Sequence, residues 1–163
     1  MIKNSPQKYI DEYNVDSVRG AYENAARWYY YLAKEGLASG LPIEFAYDAM
    51  RKSGDFYYEK FYQDVESVDG FINRYFDFGI EKVHEGTIKE SDADHAELEL
   101  GYCPFVDAWQ KLTDDEELIK KLCAGCLEMK RSMVKKLGFA VEQSEAISSG
   151  NDKCVFTFKK QAE

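Results

Sequence analysis

The sequence predicts an α+β fold, with N-terminal helices packed with a four-stranded antiparallel sheet and one long helix in the C-terminal half. Three observations predict it. Apolar residues recur at three-four spacing up to residue 79, two stretches with strand character follow, and a further helical stripe separates these from two more strand-like segments. Helices segregated from antiparallel strands form the α+β class.

The first stripe is Val15, Val18, Tyr22, Ala25, Tyr29 and Leu32, one face of a helix that runs into Glu35-Gly36. Pro42 opens a second, short helix to about Lys52, with Phe45, Ala46, Ala49 and Met50 together and Gly54 interrupting it. A third helix, about 55–78, carries Phe61, Val65, Val68, Ile72 and Tyr75 on one face, with Gly79 as its C-cap.

Beyond Gly79 the period changes. Residues 80–88 and 93–102 read as two strands joined around Lys89-Glu90-Ser91-Asp92. In the second, Ala96, Leu98, Leu100 and Tyr102 alternate with His95, Glu97, Glu99 and Gly101, which suits a strand with one wet face. A short helix, Phe105 to Leu112, follows Pro104. Thr113 and the acids after it start the long helix, which runs to about Lys136 with Ile119, Leu122, Cys126, Met129 and Met133 as its stripe. Residues 139–147 and 153–159 are the last two strands. With no repeat and no linker, residues 1–163 form one domain: a helical part over about 8–79 and a sheet-plus-helix part over about 80–160.

Composition narrows the function classes. A formal net charge of −9 repels phosphate backbones, and no basic stripe offsets it, so nucleic-acid binding is not expected. No apolar run approaches the roughly 20 residues that span a bilayer. The N-terminus lacks the apolar stretch of a signal peptide, so the expected location is cytoplasmic, with reduced cysteines. Aromatic residues make up 15% of the chain and need a large core, a flat-ligand pocket or a partner surface; a homodimer is one expectation.

Few residues carry reactive chemistry. Cys103 stands in Gly101-Tyr102-Cys103-Pro104, where a strand ends near the start of a short helix whose N–H groups favour a thiolate. Cys123 and Cys126 form a C-x-x-C about two turns inside a helix, the wrong place for a redox pair; Cys126 reads as packing and Cys123 as facing a cavity or metal. Cys154 begins the last strand on the face of Phe156 and Phe158. His84 and His95 are the two histidines. Each reads as a solvated residue, or as a base to a thiol or a zinc ligand with thiols, without diagnostic spacing.

Taken in order, several segments form a pattern: Tyr102-Cys103-Pro104-Phe105, Ala108-Trp109, Leu122-Cys123, Leu137-Gly138-Phe139 and Gly150-x-x-x-Cys154-x-Phe156-x-Phe158-Lys159. The pattern resembles the L-2-amino-thiazoline-4-carboxylic acid hydrolase family over about residues 102–159, and more distantly the 4-vinyl reductase type of small-molecule-binding domain. The resemblance implies a hydrolase that opens a cyclic amidine or thiazoline ring by water addition, with a small-molecule substrate. It implies a shared site in which Cys103 attacks the ring or binds a metal, with Cys123 and Cys154 beside it and His95 as the base nearest along the chain. The alternative it implies is a non-catalytic small-molecule- or metal-binding domain, in which Cys103, Cys123 and Cys154 hold a zinc or iron ion.

Overall fold

The structure, a computed structural model, describes residues 1–161. Helix α1 (Tyr13–Ala38) overruns the end of its stripe, passing through Gly36, whose missing side chain makes room for the Phe45 ring. It stops at Gly40, where φ is +82°. There Gly40 N–H donates to Leu37 O at 3.0 Å and Leu41 N–H to Gly36 O at 3.0 Å, the paired closure that a left-handed glycine permits.

Helix α2 (Glu44–Tyr57) does not break at Gly54 but carries it inside, and a wide helical turn over Tyr58–Tyr62 prolongs it. The glycine marks a close crossing instead, since a Cβ on Gly54 would overlap the Met129 carbonyl oxygen. Met129 belongs to α5 (Glu116–Lys135), and α2 and α5 make the most extensive helix pair of the chain.

The long third helix expected from the stripe is divided. After the wide turn the chain straightens, and Ser67 caps a separate α3 (Val68–Tyr75) by accepting the Gly70 N–H at 3.3 Å. Val68 and Asp69 donate to Ala93 O and Asp92 O at 2.9 and 3.0 Å, so α3 starts where a hairpin turn supplies its acceptors. Residues 79–83 form another helical turn rather than a strand: Asp77 Oδ1 accepts the Ile80 N–H, and Ile80 and Val83 are buried at a spacing of three.

Strand β1 (Gly86–Ser91) therefore starts later than alternation suggested and includes Lys89, Glu90 and Ser91. With β2 (His95–Leu100), β3 (Phe139–Glu145) and β4 (Cys154–Lys160) it forms a four-stranded sheet in the order β1-β2-β4-β3, antiparallel throughout. The short α4 (Pro104–Gln110) follows β2.

Register fixes the faces. Ala96, Leu98 and Leu100 pair with Phe158, Phe156 and Cys154, and this buried row lies against the helices. Trp109, fully buried against α1, satisfies its indole by donating to Ala26 O at 2.9 Å. The N-terminal residues form a strap over one end of the sheet. Ile2 is buried, Gln110 donates to its carbonyl, and the Gln7 and Lys8 N–H groups donate to Glu85 at 2.8 and 2.9 Å. Glu85 and Arg19, both buried, pair at 3.0 Å beneath it. Among the described residues no helix is long and apolar enough to cross a membrane.

Candidate functional site

Three elements deliver four thiols to one region under the sheet. Cys154 sits at the start of β4 opposite Leu100, and its Sγ accepts the Ile147 N–H at 3.4 Å. Cys103 is the N-cap residue of α4, its backbone extended by the end of β2. Cys123 and Cys126 lie on one face of α5. All four are free, and each lies near enough to the others to feel their charge. Cys103, Cys123 and Cys154, widely separated in sequence, thus share a neighbourhood, and Cys126 joins them.

Electrostatically this is a site of protonated thiols. Burial is the largest influence on every one: it pushes Cys103 well above its usual range, Cys126 up to about 12, Cys154 up to about 11, and Cys123 upward as well. Single hydrogen bonds oppose it, from the Val106 N–H to Cys103 and from the Ser148 hydroxyl to Cys123. The expectation that the start of α4 makes Cys103 a ready thiolate is therefore corrected. One N–H at the end of a seven-residue helix does not offset removal from water.

Cys103, Cys123 and Cys126 are half-buried and Cys154 buried, and of the four Cys123 lines a cleft. A cleft of about 260 Å³ separates α5 from the loop after β3, lined by Cys123, Leu127, Gln143, Ser148 and Asn151 among others. The buried Gln143 Nε2 faces the Cys154 thiol, whose pKa it lowers, without a closer hydrogen-bond partner. A larger groove of about 630 Å³ follows the N-terminal strap past Asn4, Asp107 and Lys111, but no thiol or histidine lines it.

The two histidines occupy opposite surroundings. His95 pairs with Lys159 across the outer sheet face and meets Glu90 at 3.2 Å; alternation turns it away from the row that holds Cys154. The structure does not bring it to the thiols. His84, read from sequence as solvated, is buried instead. Its Nδ1 lies 3.0 Å from Gly79 O and so carries the proton, and its ring meets Tyr22 edge-on. Burial holds its pKa down to about 4, so it is neutral at physiological pH.

Sequence reasoning passed over Lys130, because a lysine on a helix is ordinarily solvated. It follows Cys123 and Cys126 at i+7 and i+4 on α5, the same face. Its Nζ stands 4.9 Å from the centroid of the Phe156 ring. Burial works against its charge, but coupling to Tyr75, Cys126, Cys123 and Cys103 raises its pKa overall. The signal was the lysine's place in the Cys123–Cys126 stripe.

For the metal alternative, the test is donor geometry. Among the described residues no three His, Cys, Asp or Glu side chains gather closely enough to hold a metal ion. The thiols share a region without forming a coordination sphere.

A family model described as L-2-amino-thiazoline-4-carboxylic acid hydrolase matches residues 21–158, so the match reaches back through the helices as well as the cysteine-bearing half. No curated protein matches the chain. A similar solved structure is a trafficking protein particle complex subunit 3 from Naegleria fowleri, described as covalently bound to palmitic acid. It matches at 10% identity, over 87% of this chain and 96% of that one, with a TM-score of 0.60. At that identity the likeness is one of fold.

Proposed function

The chain belongs to the L-2-amino-thiazoline-4-carboxylic acid hydrolase family, and from that membership we propose that it opens a small cyclic amidine ring by net addition of water at the thiol site. The observation that carries the reading is the position of Cys123, on the wall of an open cleft and in electrostatic reach of Cys103, Cys126 and Cys154.

In a thiazoline, the reacting carbon lies between ring sulfur and ring nitrogen. The Cys123 sulfur bonds to that carbon while its proton passes to the ring nitrogen. The bond from carbon to ring sulfur then breaks, and the departing sulfur takes up a proton as a thiol. Water attacks the same carbon, the Cys123 sulfur leaves with a proton, and an N-carbamoyl cysteine remains. Passing the thiol proton directly to the substrate suits a cysteine whose pKa burial has raised. The Gln143 side chain lines the same cleft and leans on the Cys154 thiol, and would donate to charge developing on the substrate nitrogen.

The experiment is an alanine series read by ring opening of 2-amino-thiazoline-4-carboxylate. Cys123→Ala is expected to lose at least 100-fold in kcat, Cys103→Ala and Cys154→Ala to lose less, and Cys126→Ala to keep most activity. Full activity in Cys123→Ala refutes the assignment.

A second reading is a non-catalytic small-molecule-binding domain. Its support is the protonated state of all four thiols, together with the fold neighbour's description as a lipid-bearing subunit of a trafficking complex. Saturable binding with no turnover in the wild type favours it.

A further inference from the structure

Helix α1 presents two faces, and the core accounts for one of them. The other is set by Ser17, Ala21, Asn24, Trp28 and Tyr31, all exposed and recurring at four-three-four-three spacing. Trp28 and Leu32 are each 68% exposed and Tyr31 is 50% exposed. No charged residue interrupts this face between Ser17 and Leu32: Asp16, Glu23, Arg27 and Lys34 share a flank, and Arg19 is buried. In a chain that is 31% charged, an exposed, uncharged face of that length marks a contact surface.

Gly20 adds a second, independent observation. Glycine weakens a helix relative to alanine, so a glycine inside one answers to a neighbour that needs the room. Gly36 makes room for Phe45, Gly54 for Met129 and Gly125 for Tyr29, but a Cβ on Gly20 would meet nothing within 4 Å among the described residues. Inside the chain this glycine is unexplained. Ser17, Gly20, Ala21 and Asn24 stand at i, i+3, i+4 and i+7, the four corners of a hole that receives a side chain from a facing helix. All four are short and exposed. Trp28, the largest exposed side chain of the helix, follows on the same face.

We propose that α1 pairs with α1 of a second copy of this chain, antiparallel about a two-fold axis at Asn24. Trp28 of each copy then seats in the hole around Gly20 of the other. The stripe is complementary to itself in this direction: about Asn24, Trp28 falls opposite Gly20 and Tyr31 opposite Ser17. Glu35 falls opposite Tyr13, whose exposed hydroxyl can donate to it. A parallel pairing would stack Trp28 on Trp28 and leave the glycine holes facing each other. One face that carries both knob and hole makes an isologous interface, which favours a second copy over an unrelated partner. The exposed parts of Tyr13, Trp28 and Tyr31 amount to roughly 400 Å², about half of the roughly 800 Å² that each side of a standard interface contributes. Leu32 and the short residues between add to it. An uncharged seam also lets two chains of net charge −9 meet with little repulsion across it. None of these residues lines the Cys123 cleft, so the pairing stands apart from ring opening.

Analytical ultracentrifugation of the full chain over a range of concentrations tests it. The wild type is expected to sediment as a dimer that dissociates on dilution. Trp28→Ala is expected to weaken association at least about 30-fold, the loss at an interface hot spot. Gly20→Gln fills the hole and is expected to weaken it as much. It keeps the fold, because its side chain starts in open space and glutamine is the better helix former. Tryptophan emission gives a second readout. Trp109 is buried in either state, so a red shift on dilution reports Trp28 returning to water, and Gly20→Gln is expected to emit at the red position at every concentration. A wild type that sediments as a monomer throughout overturns the proposal, as does a dimer that either variant leaves intact. Emission that stays fixed as the wild type dissociates, or a Gly20→Gln chain that fails to fold, overturns it as well.

Discussion

Asn4 and Cys103 hold each other through two hydrogen bonds: the Asn4 amide donates to Cys103 O at 2.8 Å, and the Cys103 N–H donates to Asn4 Oδ1 at 3.0 Å. A residue near the start of the chain thereby fixes the backbone at the junction of β2 and α4, 99 positions later. With Ile2 buried on one side and the Gln7 and Lys8 amides held by Glu85 on the other, the strap is part of the thiol region's wall. Asn4→Ala removes both bonds and is expected to cost about 1–3 kcal/mol of stability. Thermal melting reads the loss, and faster amide exchange at residues 101–104 shows where it falls. Unchanged exchange there means the strap does not hold Cys103.

Thiol labelling should follow access. All four cysteines are held protonated by burial, so alkylation with iodoacetamide at pH 7 is expected to be slow throughout. Cys123, on the open cleft, is expected to label first, and Cys154, held by the Ile147 N–H, among the last. Raising the pH toward 9 should accelerate Cys123 most. Peptide mass mapping over time reads the order, and early labelling of Cys103 or Cys154 ahead of Cys123 contradicts it.

What could be read from the sequence depended on whether a residue's role is local. Alternation alone placed Cys154 beside Phe156 and Phe158 and turned His95 with Glu97 and Glu99, because a strand's faces follow from its period of two. Gly54 and residues 79–83 were misjudged for a common reason: their conformation answers to a partner distant in the chain. Gly54 serves a helix crossing at Met129, and the turn at 79–83 buries Ile80 and Val83 in a core that local periodicity cannot see. The same limit separated the histidines. His84 is buried against Tyr22 by the docking of α1, and nothing near it in sequence announces that. Lys130 sat in plain view within the Cys123–Cys126 stripe, and only its ordinary preference for solvent argued against it.

His84 gives the fold a pH dependence with a definite sign. Its pKa is about 4 in the folded chain against the usual 6.5, because burial opposes the charged ring and Lys130 and Arg19 add repulsion, partly offset by the Gly79 carbonyl and Asp77. The folded state thus binds fewer protons than the unfolded state between these values. Stability from this group is complete above about pH 6.5 and falls as pH drops toward 4, below which the loss is full. The total is on the order of 3 kcal/mol. His84→Asn keeps a donor for the Gly79 carbonyl without a titrating ring. Urea melts between pH 4 and 7 are expected to slope in the wild type and to lie flatter in the variant, and equal slopes remove His84 as the cause.

Gly125 and Tyr29 offer a test of packing beneath the same helix. A Cβ on Gly125 would overlap the Tyr29 hydroxyl oxygen, and that hydroxyl is itself buried without a hydrogen-bond partner. Gly125→Ala is accordingly expected to destabilise by about 1–3 kcal/mol, the range for overpacking, despite alanine's better helix propensity. Tyr29→Phe deletes the orphan oxygen and is expected to be neutral or stabilising, since a buried unpaired hydroxyl has lost its water for nothing. The double variant is the informative one. With the oxygen gone the new methyl has room, so the pair should recover most of the loss, a coupling of about 1–2 kcal/mol in a double-mutant cycle. Strict additivity would mean that the Tyr29 ring moves aside freely, and that α1 and α5 are not locked together at this point.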